Sequence, residues 1–481
     1  MTALIRCVII GSIVVAILAA AFFALLFNPE QPEFGGVVFS WGEAADVQAV
    51  QVWNEFGSFV FYFDFDENGF VVDDIPPYLV DLEAFVAFMT NSARITALQV
   101  IPNLEIVEHL PGYWTDLAGV EVIFFDGPNI IIRILAREPV SGNYYAQVFV
   151  MDDRITDNLY IIPRSLASQF LQPKTQVITR MITPPLLVSS PLAAVRDITF
   201  TGGGLTRPVT VYAVGADADP DVALQAISFG APTHIVRGAA NYQLDQTYGV
   251  EIFGSLFAIM GDIVAYGLTS EQIAAFGFDD PYMIIQYDMV NGINADMRRM
   301  TIKIAQAEDG LYYLTLNDIC AIFIVPRLPF MDIEFSRLPL RRFLNPLIMS
   351  LSAVTIQTPD REYRLEIDNT DMRNPIITFD TMTLDVDLFR SFFRLITSAS
   401  HDGTYLGPLP PPHGQAVLQI VYEYIIPEKK PDILALYPGV ERRLNVHING
   451  AGEFAMRDLF AERVIQGVEN LISGNIIEEN W

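Results

Sequence analysis

From Cys7 to Phe27 the sequence runs CVIIGSIVVAILAAAFFALLF without a charged residue. At about 1.5 Å per residue, a helix of that length crosses a hydrocarbon core about 30 Å thick. A single spanning segment has to be a helix, because lipid offers the backbone no other hydrogen-bond partner. Arg6 precedes the run and Glu30 and Glu33 follow it. The positive-inside rule then holds residues 1–6 in the cytoplasm and sends everything after Phe27 across the membrane. Pro29 and Pro32 end the helix. The competing reading is a cleaved secretory signal peptide with its small-residue site at Ala19-Ala20-Ala21. Cutting there would leave FFALLF on the mature chain, and the run exceeds the usual apolar core of about 7–15 residues. Both readings place the bulk outside the cytoplasm.

No second span is expected. Ile252–Gly261 is apolar but short, and Phe343–Pro359 is broken by Asn345, Pro346, serines and Gln357. Of the 481 residues 51% are hydrophobic and 18% charged, which excludes a disordered chain, and the length predicts two to four domains. The net charge of −28 argues against nucleic acid as a partner, since a polyanion would be repelled. Two cysteines exclude a disulfide scaffold and a cysteine-built zinc module.

The rest of the chain repeats one order of elements. Strand pairs with turn residues between them begin at Val47, Val195 and Leu351, 148 and 156 residues apart. An amphipathic helix follows each pair. Its stripe is Leu79, Leu82, Phe85, Val86 and Met89 in the first unit, and Ile252, Phe253, Leu256, Phe257, Ile259 and Ile263 in the second. In the third it is Leu388, Phe389, Phe392, Phe393 and Ile396, with Asp387 as the expected N-cap. Ile161–Arg164 and Ile324–Arg327 share a hydrophobic-Ile/Val-Pro-Arg core. Thr183–Leu192 and Leu338–Leu347 are proline-bearing joints, and Gly407–Gly414 is a polyproline-like loop. The expected organisation is a cytoplasmic stretch 1–6, a membrane helix 7–27, and α+β units over 28–190, 191–345 and 346–481. Each unit is expected to be a mostly antiparallel sheet covered by helices on one face.

Leu268–Met289 reads LTSEQIAAFGFDDPYMIIQYDM: a short helix capped by Ser270, a left-handed Gly277, Pro281, and then a strand. This arrangement resembles the hallmark of the bacterial family known as domain of unknown function 4340, in which Leu-Asp or Leu-Glu commonly stands where this chain has Phe278-Asp279. The likeness covers most of the chain in layout and only short stretches in residues. In the first unit Trp114–Val122 stands in place of the hallmark. The resemblance implies an N-terminal helix anchored in the bacterial inner membrane, followed by repeated α+β units outside the cytoplasm. It also implies an accessory role beside ABC transporter subunits and a gliding-type auxiliary protein. It carries over no catalytic residues.

The chemistry-bearing residues read more simply as structure. Asp64–Phe70 imitates the start of a calcium loop, but Ile75 stands where a bidentate glutamate is required, so a hairpin through Glu67-Asn68-Gly69 is expected. Asp217, Asp219 and Asp221 read as a solvated loop. His109, His234, His401, His413 and His447 have no metal-ligand spacing. Ser400-His401-Asp402 reads as a helix-ending turn, since a triad is assembled by a fold and not by adjacency. Gly202-Gly203-Gly204 lacks the helix start that a phosphate cradle needs. Cys320, among Ile319, Ala321 and Ile322, reads as a core thiol. No catalytic, cofactor-binding or metal residue is assigned. The expected function is a non-enzymatic interaction module of a transport system. A ligand- or glycan-binding protein and an envelope hydrolase are the alternatives.

Overall fold

The computed structural model describes residues 37–40, 46–64, 69–101, 116–126, 129–150, 153–154, 158–290, 297–317 and 319–481. Among them no helix is long and apolar enough to cross a membrane, and the Cys7–Phe27 run lies outside them. Three large antiparallel sheets carry the described chain, with helices in the crossovers, so the class is α+β. Val37–Ser40 and Arg94–Ala97 form a separate two-stranded ribbon.

Residues 195–325 show the plan of each sheet. Val195–Gly202 pairs with Val209–Ala213, which pairs with His234–Arg237, and Asn241–Gln243 ends that flank. The helix Gln246–Gly254 and the strand Asp262–Tyr266 carry the chain to the opposite edge. Met283–Val290 re-enters beside Val195–Gly202, and Met297–Gln306, Tyr312–Leu316 and Ala321–Val325 fill the gap. The last of these closes on Asp262–Tyr266. The strand made first therefore lies in the middle.

The other two sheets follow the same path. In the first, Val47–Asn54 is flanked by Gly57–Asp64 and Ala118–Phe124, and Leu159–Ile162 closes on Gln99–Ile101. In the third, Leu351–Gln357 is flanked by Glu362–Asp368 and Leu418–Tyr424, and Ala451–Arg457 is last. Among the described residues no full edge strand covers Ala451–Arg457. Instead residues 404–409 lie along it, with Leu406 and Leu409 donating their amides to the carbonyls of Glu453 and Gly452.

Two local details recur with the path. Each middle strand has a register shift near its start against the re-entering strand, between Val47 and Ala49, Val195 and Ile198, and Leu351 and Ala353. Such a bulge sharpens the twist at one end of the strand. Each crossover helix is capped by an aspartate. Asp81 accepts from Ala84 N before Leu82–Ala93, Asp245 from Tyr248 N, and Asp385 from Asp387 N and Leu388 N before Val386–Thr397. The cap of the last helix is thus Asp385 rather than Asp387, which lies inside the first turn where its charge still suits the dipole.

The helices cover one face of each sheet. Phe61 meets Phe85 and Phe88 in the first, and His234 meets Phe253 in the second. In the third, Val386–Thr397 and Leu459–Ile472 cross at Gly467, where a Cβ would stand 2.9 Å from Leu395. The stripe expected to run to Ile263 stops at Gly254. Ala258 takes a left-handed φ of 50°, and Ile263 belongs to the edge strand. In the first helix Leu82 and Val86 are exposed, and Phe88 carries the burial that the stripe assigned to them.

The chain divides into two compact units, one through Thr179 and one from Arg180, and the second holds two sheets. The expected joint Leu338–Leu347 lies inside it as an extended strap. Leu340 donates to Gln243 O on one side, and Phe343 and His401 exchange backbone bonds with Ala399 O and Arg341 O on the other.

Asp385→Ala removes two accepted amide bonds from the helix N-terminus and lowers the stability of this unit by about 1 kcal/mol. Asp387→Ala shifts the midpoint far less. Urea unfolding of the two variants side by side checks the assignment.

Candidate functional site

Where the second and third sheets meet in the larger unit, a cleft of about 360 Å³ opens, lined by Tyr282 and by three further short segments. The first is the turn after the middle strand, in which Gly202 and Gly203 adopt φ of 85° and 63° and lead to Arg207. A Cβ on Gly202 would lie 2.4 Å from Tyr282 O, so the turn closes only with glycine there. The second is Arg327–Ser336, which follows the last strand. The third is Tyr405, from the segment along the third sheet.

Behind the cleft lies a fully buried carboxylate. Glu453 accepts from Ala239 N at 2.8 Å and from the Arg207 guanidinium, and it shares hydrogen bonds with Tyr242 and Tyr405. Burial pushes its carboxyl up, while the Ala239 amide and Arg207 oppose that shift. Burial and the same carboxylate push the Tyr242 phenol up. Gly238 makes the approach possible, since a Cβ would stand 2.0 Å from Glu453 Oε1. Arg207 also lies over the Phe335 ring, 5.1 Å from its centre. Phe335, Tyr405, Tyr242 and Phe454 continue as one aromatic cluster.

At the mouth, Arg327 Nε donates to both oxygens of Asp332, at 2.9 and 3.0 Å, and Nη1 donates to Tyr312 OH at 3.1 Å. The guanidinium holds the Asp332 carboxyl below its ordinary value. A second buried acid joins the two sheets elsewhere. Asp432 accepts from Lys429 Nζ, Tyr424 OH, Asn449 Nδ2 and the Ser228 hydroxyl. Neither acid was singled out in the sequence. The available signal was an acid inside an otherwise apolar strand, as Glu453 is in AGEFAM.

The residues weighed in the sequence are scattered. His234 is buried with Nε2 2.9 Å from Val195 O, and His447 packs edge-on to Tyr437. His413 is exposed, and His109 lies outside the described residues. His401 stacks on Phe454 at 4.4 Å, while Asp402 turns to Arg443 and Thr404, so the two do not form a relay with Ser400. Asp219 caps the helix Pro220–Ala226, and Asp217 faces Arg196. Asp64 pairs with Gly69 across a hairpin whose turn, 65–68, lies outside the described residues. Thr269, not Ser270, caps the hallmark helix through a capping box with Gln272, and Gly277 is left-handed at φ 89°. Cys320 is exposed rather than in the core, because it precedes the last strand in the connection that turns into it.

A separate groove of about 550 Å³ lies in the third-sheet region, with exposed Leu347, Met349 and Met372 beside Phe393 and with Arg342 and Arg390 at its rim. No family model matches the chain, and no curated protein or solved structure matches it.

Arg207→Met strands the Glu453 carboxylate and costs this unit about 3–5 kcal/mol, whereas Arg207→Met with Glu453→Met restores most of the loss. Chemical unfolding of the single and double variants measures this. His401 gives a pH signature. Burial, with Arg341 nearby, lowers its pKa to about 4. The unfolded ring titrates near pH ~6.5, so only the unfolded chain takes up this proton between those values. Stability is undiminished above about pH 6.5 and falls toward pH 4, by at most about 1.4 kcal/mol per pH unit. His401→Phe flattens that slope in unfolding curves measured across the range.

Proposed function

We propose that this chain is a non-enzymatic, membrane-tethered interaction module of an ABC-type transport system, with its sheets on the extracytoplasmic side. The observation that carries this reading is the apolar groove, where Leu347, Met349 and Met372 stay exposed beside the helix Val386–Thr397. Methionines adapt their shape to a partner, and clustered exposed apolar side chains mark contact surfaces on otherwise polar proteins. Of the arginines lining the groove, Arg390 is paired with Asp387 and Arg394 with Glu479. This leaves Arg342 as a local positive charge on a chain of net charge −28, suited to an apolar segment flanked by an acid on a transporter subunit.

Two further observations support the reading. The Cys7–Phe27 run would confine the sheets near partners in the same membrane, where a weak interface is still populated. The likeness of Leu268–Met289 to the family hallmark points to transport machinery as the neighbour. In the cleft, the acids and arginines are closed in pairs, Arg207 with Glu453 and Arg327 with Asp332, an arrangement suited to holding a shape.

Full-length protein captured from gently solubilised membranes is expected to bring transporter subunits with it. Met372→Glu with Met349→Glu, and separately an unrelated helix in place of Cys7–Phe27, should each lower that recovery several-fold without unfolding the sheets. Protease added to spheroplasts should digest the region after Asn28. Isolation of the protein alone, with turnover of an envelope substrate, would show the proposal to be wrong.

A further inference from the structure

We infer that the cleft between the glycine turn and Arg327–Ser336 binds a neutral polyhydroxylated ligand, a saccharide. This goes beyond the proposed interaction role, and it concerns a different surface from the groove.

Four features of the cleft carry the inference. Its volume of about 360 Å³ lies at the low end for small-ligand pockets and admits one or two pyranose rings. Its walls include two half-buried tyrosines, each leaning on a buried ring. Tyr282 lies 5.5 Å from Tyr312, and Tyr405 lies 5.2 Å from Phe335. Such rings offer flat carbon surface that matches the C–H face of a sugar, with a phenol at the edge.

Hydroxyl recognition needs planar donors and acceptors that are already fixed in place. Arg327 is held by Asp332 and Tyr312, which engage Nε, one hydrogen of Nη1 and one of Nη2, so two of its five N–H donors stay open. Asp332 keeps acceptor capacity of its own, and the hydroxyls of Thr206 and Ser336 line the same space. The pairing of charges then decides the ligand's charge. Arg207 is neutralised by Glu453 behind the lining and Arg327 by Asp332, so the two pairs cancel and Glu334 adds one negative charge. An anion is repelled, and a small cation finds both paired carboxylates occupied by guanidinium groups. A neutral ligand with many hydroxyls satisfies the open donors and acceptors without disturbing either pair.

The test is calorimetric titration of the full chain in a detergent without a sugar headgroup. The probes are neutral pentasaccharides of α-1,4-glucose, β-1,4-glucose, xylose and N-acetylglucosamine, with inorganic phosphate as the anion probe. At least one saccharide is expected to bind, and phosphate is expected neither to bind nor to compete. Tyr282→Ala and Asp332→Asn should each weaken binding about tenfold, the usual loss for an aromatic platform or a charged hydrogen bond. If Tyr282→Ala lowers the thermal midpoint, Asp332→Asn decides. Silence with all four saccharides, competition by phosphate, or wild-type affinity in both variants overturns the inference, and leaves transporter association to stand or fall on its own capture experiment. Binding followed by shortening of the sugar would keep the ligand class and overturn the non-enzymatic reading.

Discussion

A carboxylate with no access to water has to be surrounded by donors, and the larger unit is built around that requirement. Glu453 leaves the last strand of the third sheet, but Arg207, Ala239 and Tyr242, three of the groups that satisfy it, belong to the second. Separating the two sheets would strip the charge of these partners, and a stranded buried charge costs several kcal/mol. Asp432 repeats the arrangement through Ser228. Two sheets that could each have closed as a domain are therefore held as one compact unit. The cleft follows from the same constraint. Drawing Arg207 inward fixes the glycine turn, and Tyr405 is pinned by the carboxylate it shares.

Local pattern made much of this legible. The strand pairs at Val47, Val195 and Leu351 form as read, because alternation and turn residues act over a few positions. The amphipathic stripe of Val386–Thr397 was equally plain. What escaped depends on distant partners. Asp81, Asp245 and Asp385 form a repeated cap, yet each is one acid among many until the helix start is known. The Gly254 stop was hidden because Ile259 is buried whether it lies in a helix or in the turn that replaces it.

The candidate site was less legible than the fold. Histidines and aspartate clusters drew the eye in the sequence, and the structure sets them in separate surroundings, while the glycine run alone of these forms a wall of the cleft. The residues that do converge, Arg207, Tyr282, Arg327, Tyr405 and Glu453, come from positions up to 246 apart. No spacing rule joins them. Their meeting is a product of sheet order, and the strap at Leu338–Leu347, which looked like a linker, is one of the pieces that sets that order.

The loop beside the third sheet also governs what the outermost strand can do next. Ala451–Arg457 would present a row of open carbonyls and amides, the kind of edge on which another chain can grow a strand. Residues 404–409 occupy part of that row, and Pro408 among them has no amide hydrogen to offer. A neighbouring copy that tried to extend the sheet here would find part of the row already taken. Copies of the chain held at high local concentration thus meet little open edge here through which to polymerise.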